Sequence, residues 1–145
     1  MAVTDRLWRL DAQTGTMLDT IEIPESLRPI DDPAWGFVHA MADSVIGTAT
    51  TVHATYQGAD GEWYDKPGVE AEAVLGSSMF AVDPKNDELL WSYTGSLIVH
   101  PTITVDAETI YFVEDRKPSR ESLAKGRLVS QDGKNQFLVA IEVKT

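Results

Sequence analysis

Residues 78–93 read Ser-Met-Phe-Ala-Val-Asp-Pro-Lys-Asn-Asp-Glu-Leu-Leu-Trp-Ser-Tyr, two short apolar runs joined by a polar turn. Met79 to Val82 is strand-like, Asp83 to Asp87 supplies the Asp, Pro and Asn that favour tight turns, and Leu89 to Tyr93 resumes an aromatic-rich strand. The stretch predicts a β-hairpin. It recurs: Leu-Trp-Arg-Leu-Asp-Ala-Gln-Thr-Gly at Leu7 to Gly15 and Phe-Leu-Val-Ala-Ile-Glu-Val-Lys-Thr at Phe137 to Thr145 carry the same apolar run, acidic residue and polar turn. A pattern that returns in this way describes a repeat protein.

The rest of the chain arranges itself around these copies. Arg6 to Leu10 and Thr16 to Ile23 flank a turn in which Gly15 is free to take positive φ. Pro24 to Pro33 holds three prolines and the acids Asp31-Asp32, which predicts an exposed connection with little regular structure. Trp35 to Met41 and Ser44 to Val52 form two strands around Ala42-Asp43, the second rich in β-branched residues. Leu97 to Val105 and Thr109 to Glu114 pair around Asp106-Ala107-Glu108, and Gln136 to Val143 is the last strand. Two polar excursions interrupt this order. The first, residues 54–77, is rich in Gly and acid yet holds Tyr56, Trp63 and Tyr64; the second, residues 115–135, contains Pro118 to Lys125 followed by Gly126, the signature of one or two helical turns.

Spacing supports repetition. Asp11 and Asp83 stand 72 residues apart and Asp83 and Glu142 stand 59 apart, longer than the roughly 40–50 residues of a four-stranded propeller blade. The excursions account for the surplus. Val38-His39 and Val99-His100, whose histidines are 61 residues apart, echo each other on strands expected to lie innermost.

Composition bounds the function. The 145 residues suit a single domain. The net charge of −11, from 23 acids against 12 Lys and Arg, repels phosphate backbones and argues against a nucleic-acid partner. With no cysteine, the chain has no disulfide, thiolate metal site or thiol nucleophile. Met1 to Asp5 lacks the basic and apolar segments of a secretion signal, and no apolar run reaches the roughly 18 residues of a membrane span.

With these residues in view, the chain resembles the PQQ-like β-propeller repeat, whose usual form is apolar-apolar-Ala-Leu-Asp, a Thr-Gly-Lys turn and then a Trp. Leu7 to Gly15 and Met79 to Lys85 followed by Trp91 carry the match. Trp35 to His39 and Ile110 to Glu114 are similar to the two inner strands of such blades. The second copy departs from the family by placing Asn86-Asp87 where Thr-Gly is usual, and the third stops at Thr145.

The resemblance implies an all-β fold of four-stranded antiparallel blades set side by side: one unit over residues 1–145, an incomplete propeller with about two blades' worth of strands. It implies a binding or interaction scaffold, with the remaining blades of a longer parent or another copy of the chain as partner, and an exported or periplasmic setting. The alternative is a segment of a quinoprotein dehydrogenase whose cofactor site lies on blades not present here. Such enzymes hold PQQ between a Trp and a cysteine pair, beside calcium. This chain has no cysteine, and residues 60–65 offer too few ligands for an alternating-acid calcium loop, so neither cofactor is expected in it.

Individual residues carry two readings each. Trp8 and Trp91 are expected to seal neighbouring blades. Trp35, beside Gly36, is either core packing or part of a central mouth; Trp63, with Tyr64, is either a loop anchor or a partner contact. His39 and His100 are ligand-contact candidates by their equivalent positions, although duplication alone explains the echo and no metal site is assigned. No Gly-x-Ser-x-Gly elbow or Gly-rich phosphate loop occurs, so no catalytic residue is assigned. Counting strands gives two, then four, then three, which leaves the last group one strand short.

Overall fold

The computed structural model describes residues 2–3, 5–30, 34–51, 74–106, 108–128 and 133–143. Among them the chain is all-β and antiparallel. A short strand β1 (Ala2–Val3) pairs with β2 (Arg6–Leu10), which pairs with β3 (Met17–Glu22). A second sheet holds β4 (Trp35–Ala40), β5 (Val45–Thr50), β6 (Leu75–Val82), β7 (Leu89–Tyr93), β8 (Leu97–Val105), β9 (Thr109–Asp115) and β10 (Gln136–Glu142).

The expected grouping of two, four and three strands is present, with β1 added to the first group. The second and third groups are not separate four-stranded blades, however. β6 pairs along its length with β5, while its opposite edge is divided: Met79 to Val82 pair with β7, and Leu75 and Gly76 pair with Val99 and Ile98 of β8. The second and third groups thus form one seven-stranded sheet that folds over at this join.

Alternation of side chains along β5 and β6 builds a core on each face. Phe80, Val82, Val45 and Ala49 face the first hairpin, meeting Leu7, Ile21, Ile23 and Trp35. Met79, Ala81 and Ile46 face the other way, against Ile98, Ile110, Phe112 and Val143. The two central strands of the middle group, β5 and β6, are therefore buried on both faces. Trp91 packs, half-buried, against this second core.

The two hairpin turns share one geometry. Asp11 Oδ1 accepts the N–H groups of Gln13 (3.0 Å) and Thr14 (2.7 Å), and the N–H of Gly15 donates to the Asp11 carbonyl at 2.8 Å. Asp83 Oδ1 likewise accepts the N–H of Lys85 (2.8 Å), and the N–H of Asp87 donates to the Asp83 carbonyl at 2.9 Å. Gly15 sits at φ 70° and Asp87 at φ 59°. The substitution of Asp for Gly is tolerated because Asp is among the few side chains that visit the left-handed region. Asp87→Val is expected to lose about 1–2 kcal/mol, whereas Asp87→Gly keeps or raises stability; urea midpoints measure both. Arg9, paired with Asp19, also donates to the Pro84 carbonyl and links the first hairpin to the second turn.

Several boundaries differ from the sequence reading. β6 starts at Leu75, so the first excursion ends before residue 77, and residues 52–73 lie outside the described residues. Of the β-branched segment Thr48 to Val52, Thr48 to Thr50 lie on β5, which ends there, and Val52 lies outside the described residues. The connection after β3 contains one 3-10 turn, Glu25–Leu27.

Within the second excursion a short helix, α1 (Arg120–Lys125), begins at Ser119, whose hydroxyl accepts the N–H of Ser122 at 3.0 Å, and ends at Gly126 with φ 63°. This segment is not detached. Leu75 N–H donates to the Gly126 carbonyl at 3.1 Å, and Val74 forms an isolated bridge with Arg127.

Candidate functional site

Trp35 is a core residue of the first interface. Its ring lies edge-on to Phe80 at 5.1 Å and 65°, its indole N–H donates to the Asp5 carbonyl at 3.2 Å, and it covers Gly47, where an added Cβ would come within 2.1 Å of the ring. The glycine is required by the close approach.

His100 lies at the fold between the two wings of the large sheet. It is 5% exposed, and its ring rests on Gly36 of β4 and Gly76 of β6. An added Cβ would stand 2.0 Å from Cε1 at Gly36 and 2.3 Å from Nε2 at Gly76. Its Nε2 shares a 3.0 Å hydrogen bond with Thr48 Oγ1, which also accepts the N–H of Phe37 at 2.8 Å, where β4 bulges against β5. Nδ1 is buried without a hydrogen-bond partner. Burial pushes the imidazole down to about 4, so the ring is neutral near pH 7. His39, half-buried, stacks on Phe37 at 6.4 Å instead, and His100 bonds to Thr48 rather than to it. Trp63 and Tyr64 lie outside the described residues.

A second buried polar group ties the wings together. Glu114 on β9 is 1% exposed and accepts the Tyr93 hydroxyl (2.8 Å), the Ser96 N–H (2.6 Å) and the Arg116 Nε–H (2.7 Å). Burial works to raise its pKa, but the bonds from Arg116, Tyr93 and Ser96 outweigh it and hold the carboxyl below its ordinary range. Burial, reinforced by the bond to Glu114, pushes the Tyr93 phenol up to about 12. Arg116 also lies 4.4 Å over the Phe137 ring and so joins β9 to β10. Nothing in the Ile110 to Glu114 run foretells this, because two of the three partners, Tyr93 and Ser96, come from β7 and the turn after it.

An open cavity of about 590 Å³ forms between the 3-10 turn after β3, the first half of β6 and α1. Its wall includes Leu27, Arg28, Thr51, Ser77, Ser78 and Leu123. A bulge creates its floor: Ala49 pairs with Ser78 and Thr50 with Gly76, so Ser77 is the extra residue. Ser77 and Ser78, adjacent in the strand, both line the cavity. By sequence Ser77 closes the excursion and Ser78 opens the strand, so Gly-Ser-Ser ahead of a strand pattern is the one local sign of this site.

Among the described residues no group of three or more His, Cys, Asp and Glu could hold a metal ion, and no helix is long and apolar enough to cross a membrane. The chain matches no family model, no curated protein and no solved structure.

Proposed function

We propose that the chain is a segment of a PQQ-like repeat propeller that works as a binding scaffold, docking further blades or another copy of itself. The observation that carries this reading is the edge of β10. Among the described residues β10 pairs only with β9, and its Phe137 and Leu138 are exposed, Leu138 to 75%. An unpaired strand with apolar side chains templates the addition of another strand. The repeated Asp turn and the two-four-three grouping of strands support the repeat assignment. So does the packing, in which each group lays one face on the next, the arrangement of neighbouring blades.

In the isolated chain, self-association through β10 is expected at high micromolar concentration, measured by light scattering. Leu138→Lys, which places a charge on that edge, should return it to monomer. A wild-type chain that stays strictly monomeric and melts cooperatively, or a Leu138→Lys chain that associates unchanged, defeats the reading. Dye reduction that depends on added PQQ and calcium would favour the dehydrogenase alternative.

A further inference from the structure

The cavity beside β6 has the makings of a ligand site. Its volume of about 590 Å³ lies within the range of small-molecule pockets, which are apolar walls with a few placed polar groups. Leu27 and Leu123 supply apolar wall; Thr51, Ser77 and Ser78 supply hydroxyls; Arg28 supplies a cation. Among the described residues no carboxylate lines it, in a chain whose net charge is −11.

Two atoms of this wall lack what buried polar atoms almost always have. Ser78 is only 3% exposed, and its Oγ has no hydrogen-bond partner. Arg28 gives one terminal nitrogen to Glu22 Oε2 (2.5 Å) and to the Ile23 carbonyl (3.4 Å), yet its Nε–H is buried and unpaired. The neighbouring hydroxyls are engaged, Thr51 with the Leu75 carbonyl at 3.3 Å and Ser77 with the Ala49 carbonyl at 3.5 Å. The unmet groups are thus both able to donate, and one carries a positive charge. A planar anion with two acceptor oxygens satisfies such a pair better than a neutral group does. The bulge at Ser77 is the kind of irregularity that re-aims side chains next to binding sites.

We propose that this cavity binds a small carboxylate with an apolar body, its carboxylate held by Ser78 and Arg28 and its body lying between Leu27 and Leu123. The site is separate from the β10 edge, so its test stands or falls independently of the scaffold reading.

The full chain titrated with sodium octanoate in a calorimeter should give saturable one-to-one binding, with octan-1-ol at least about tenfold weaker, the loss expected of a hydrogen bond to a charged partner. Ser78→Ala should weaken octanoate by about tenfold without lowering Tm, since the deleted hydroxyl has no partner in the fold. Arg28→Lys, which keeps the charge but removes Nε, should weaken it as well. In the wild-type chain, octanoate should shift the amide resonances of Thr51, Ser77, Ser78 and Leu123, a readout that needs no variant. Equal binding of octanoate and octan-1-ol, non-saturable heat, unchanged affinity in Ser78→Ala, or amide shifts confined to other regions would each overturn the proposal.

Discussion

Trp35→Ala is expected to destabilise the chain by about 3–5 kcal/mol, the range for removing a large buried aromatic side chain. The indole is the piece that joins the first hairpin to the middle group: it fills the space over Gly47, meets Phe80 edge-on and reaches the Asp5 carbonyl. Its removal leaves a void between two sheets whose backbones are fixed by their own pairing, so collapse is limited. Trp35→Phe keeps part of the contact and should cost well under half as much. Urea denaturation followed by circular dichroism measures both; a loss below about 1 kcal/mol for Trp35→Ala, the size of an ordinary surface effect, would show that the first hairpin is held by other contacts.

The next largest effect is a loss of stability on acidification, set by His100. Its folded value of about 4 lies below the unfolded value near 6.5, so the unfolded chain binds the proton more readily. Stability is therefore full above pH 6.5 and declines as pH falls from about 6.5 to about 4, by a total of about 3 kcal/mol. His100→Gln, which can still bond to Thr48, should flatten the curve in that window. Denaturation midpoints against pH give the slope, and the His100 ring resonance should titrate near pH 4. A resonance that titrates near 6.5 would refute the account. Glu114 adds a separate loss at lower pH: its depressed value stabilises the fold above the ordinary Glu range, and that contribution goes as pH falls through the folded value.

The strands were legible because their signals are local. Asp11 to Gly15 and Asp83 to Asp87 carry turn chemistry within five residues, and Gly126 marks the end of a helix whose expected first-turn residue, Pro118, in fact precedes the cap at Ser119. What escaped the sequence is long-range. By sequence Gly36 and Gly47 fall inside strands and Gly76 inside the excursion, with nothing to mark their use, yet the structure makes them seats for rings that arrive from other strands. Such a need arises only when two layers meet. The start of β6 was hidden for a related reason: Gly76-Ser77-Ser78 is polar, but its neighbours on β5 and β8 make it strand. Arg28 and Ser78 are 50 residues apart in the chain, and no periodicity links them. The candidates Trp35, His39 and His100 were found as residues. Their surroundings became visible only with the fold: a core contact for Trp35, a stack on Phe37 for His39, and a glycine seat for His100.

The divided edge of β6 bears on how the chain comes apart. In an array whose units touch only through side chains, each unit has an intrinsic stability and a separate coupling to its neighbour, and terminal units can fray alone. Here the hydrogen bonds of Leu75 and Gly76 to β8 belong to the same strand that forms the middle of the preceding unit. Melting either unit strips backbone partners from the other as well as apolar contacts. The nearest-neighbour term is thereby raised relative to the intrinsic ones, and β4 through β10 should unfold as one cooperative block, with uniform amide exchange protection across the join rather than a step between units.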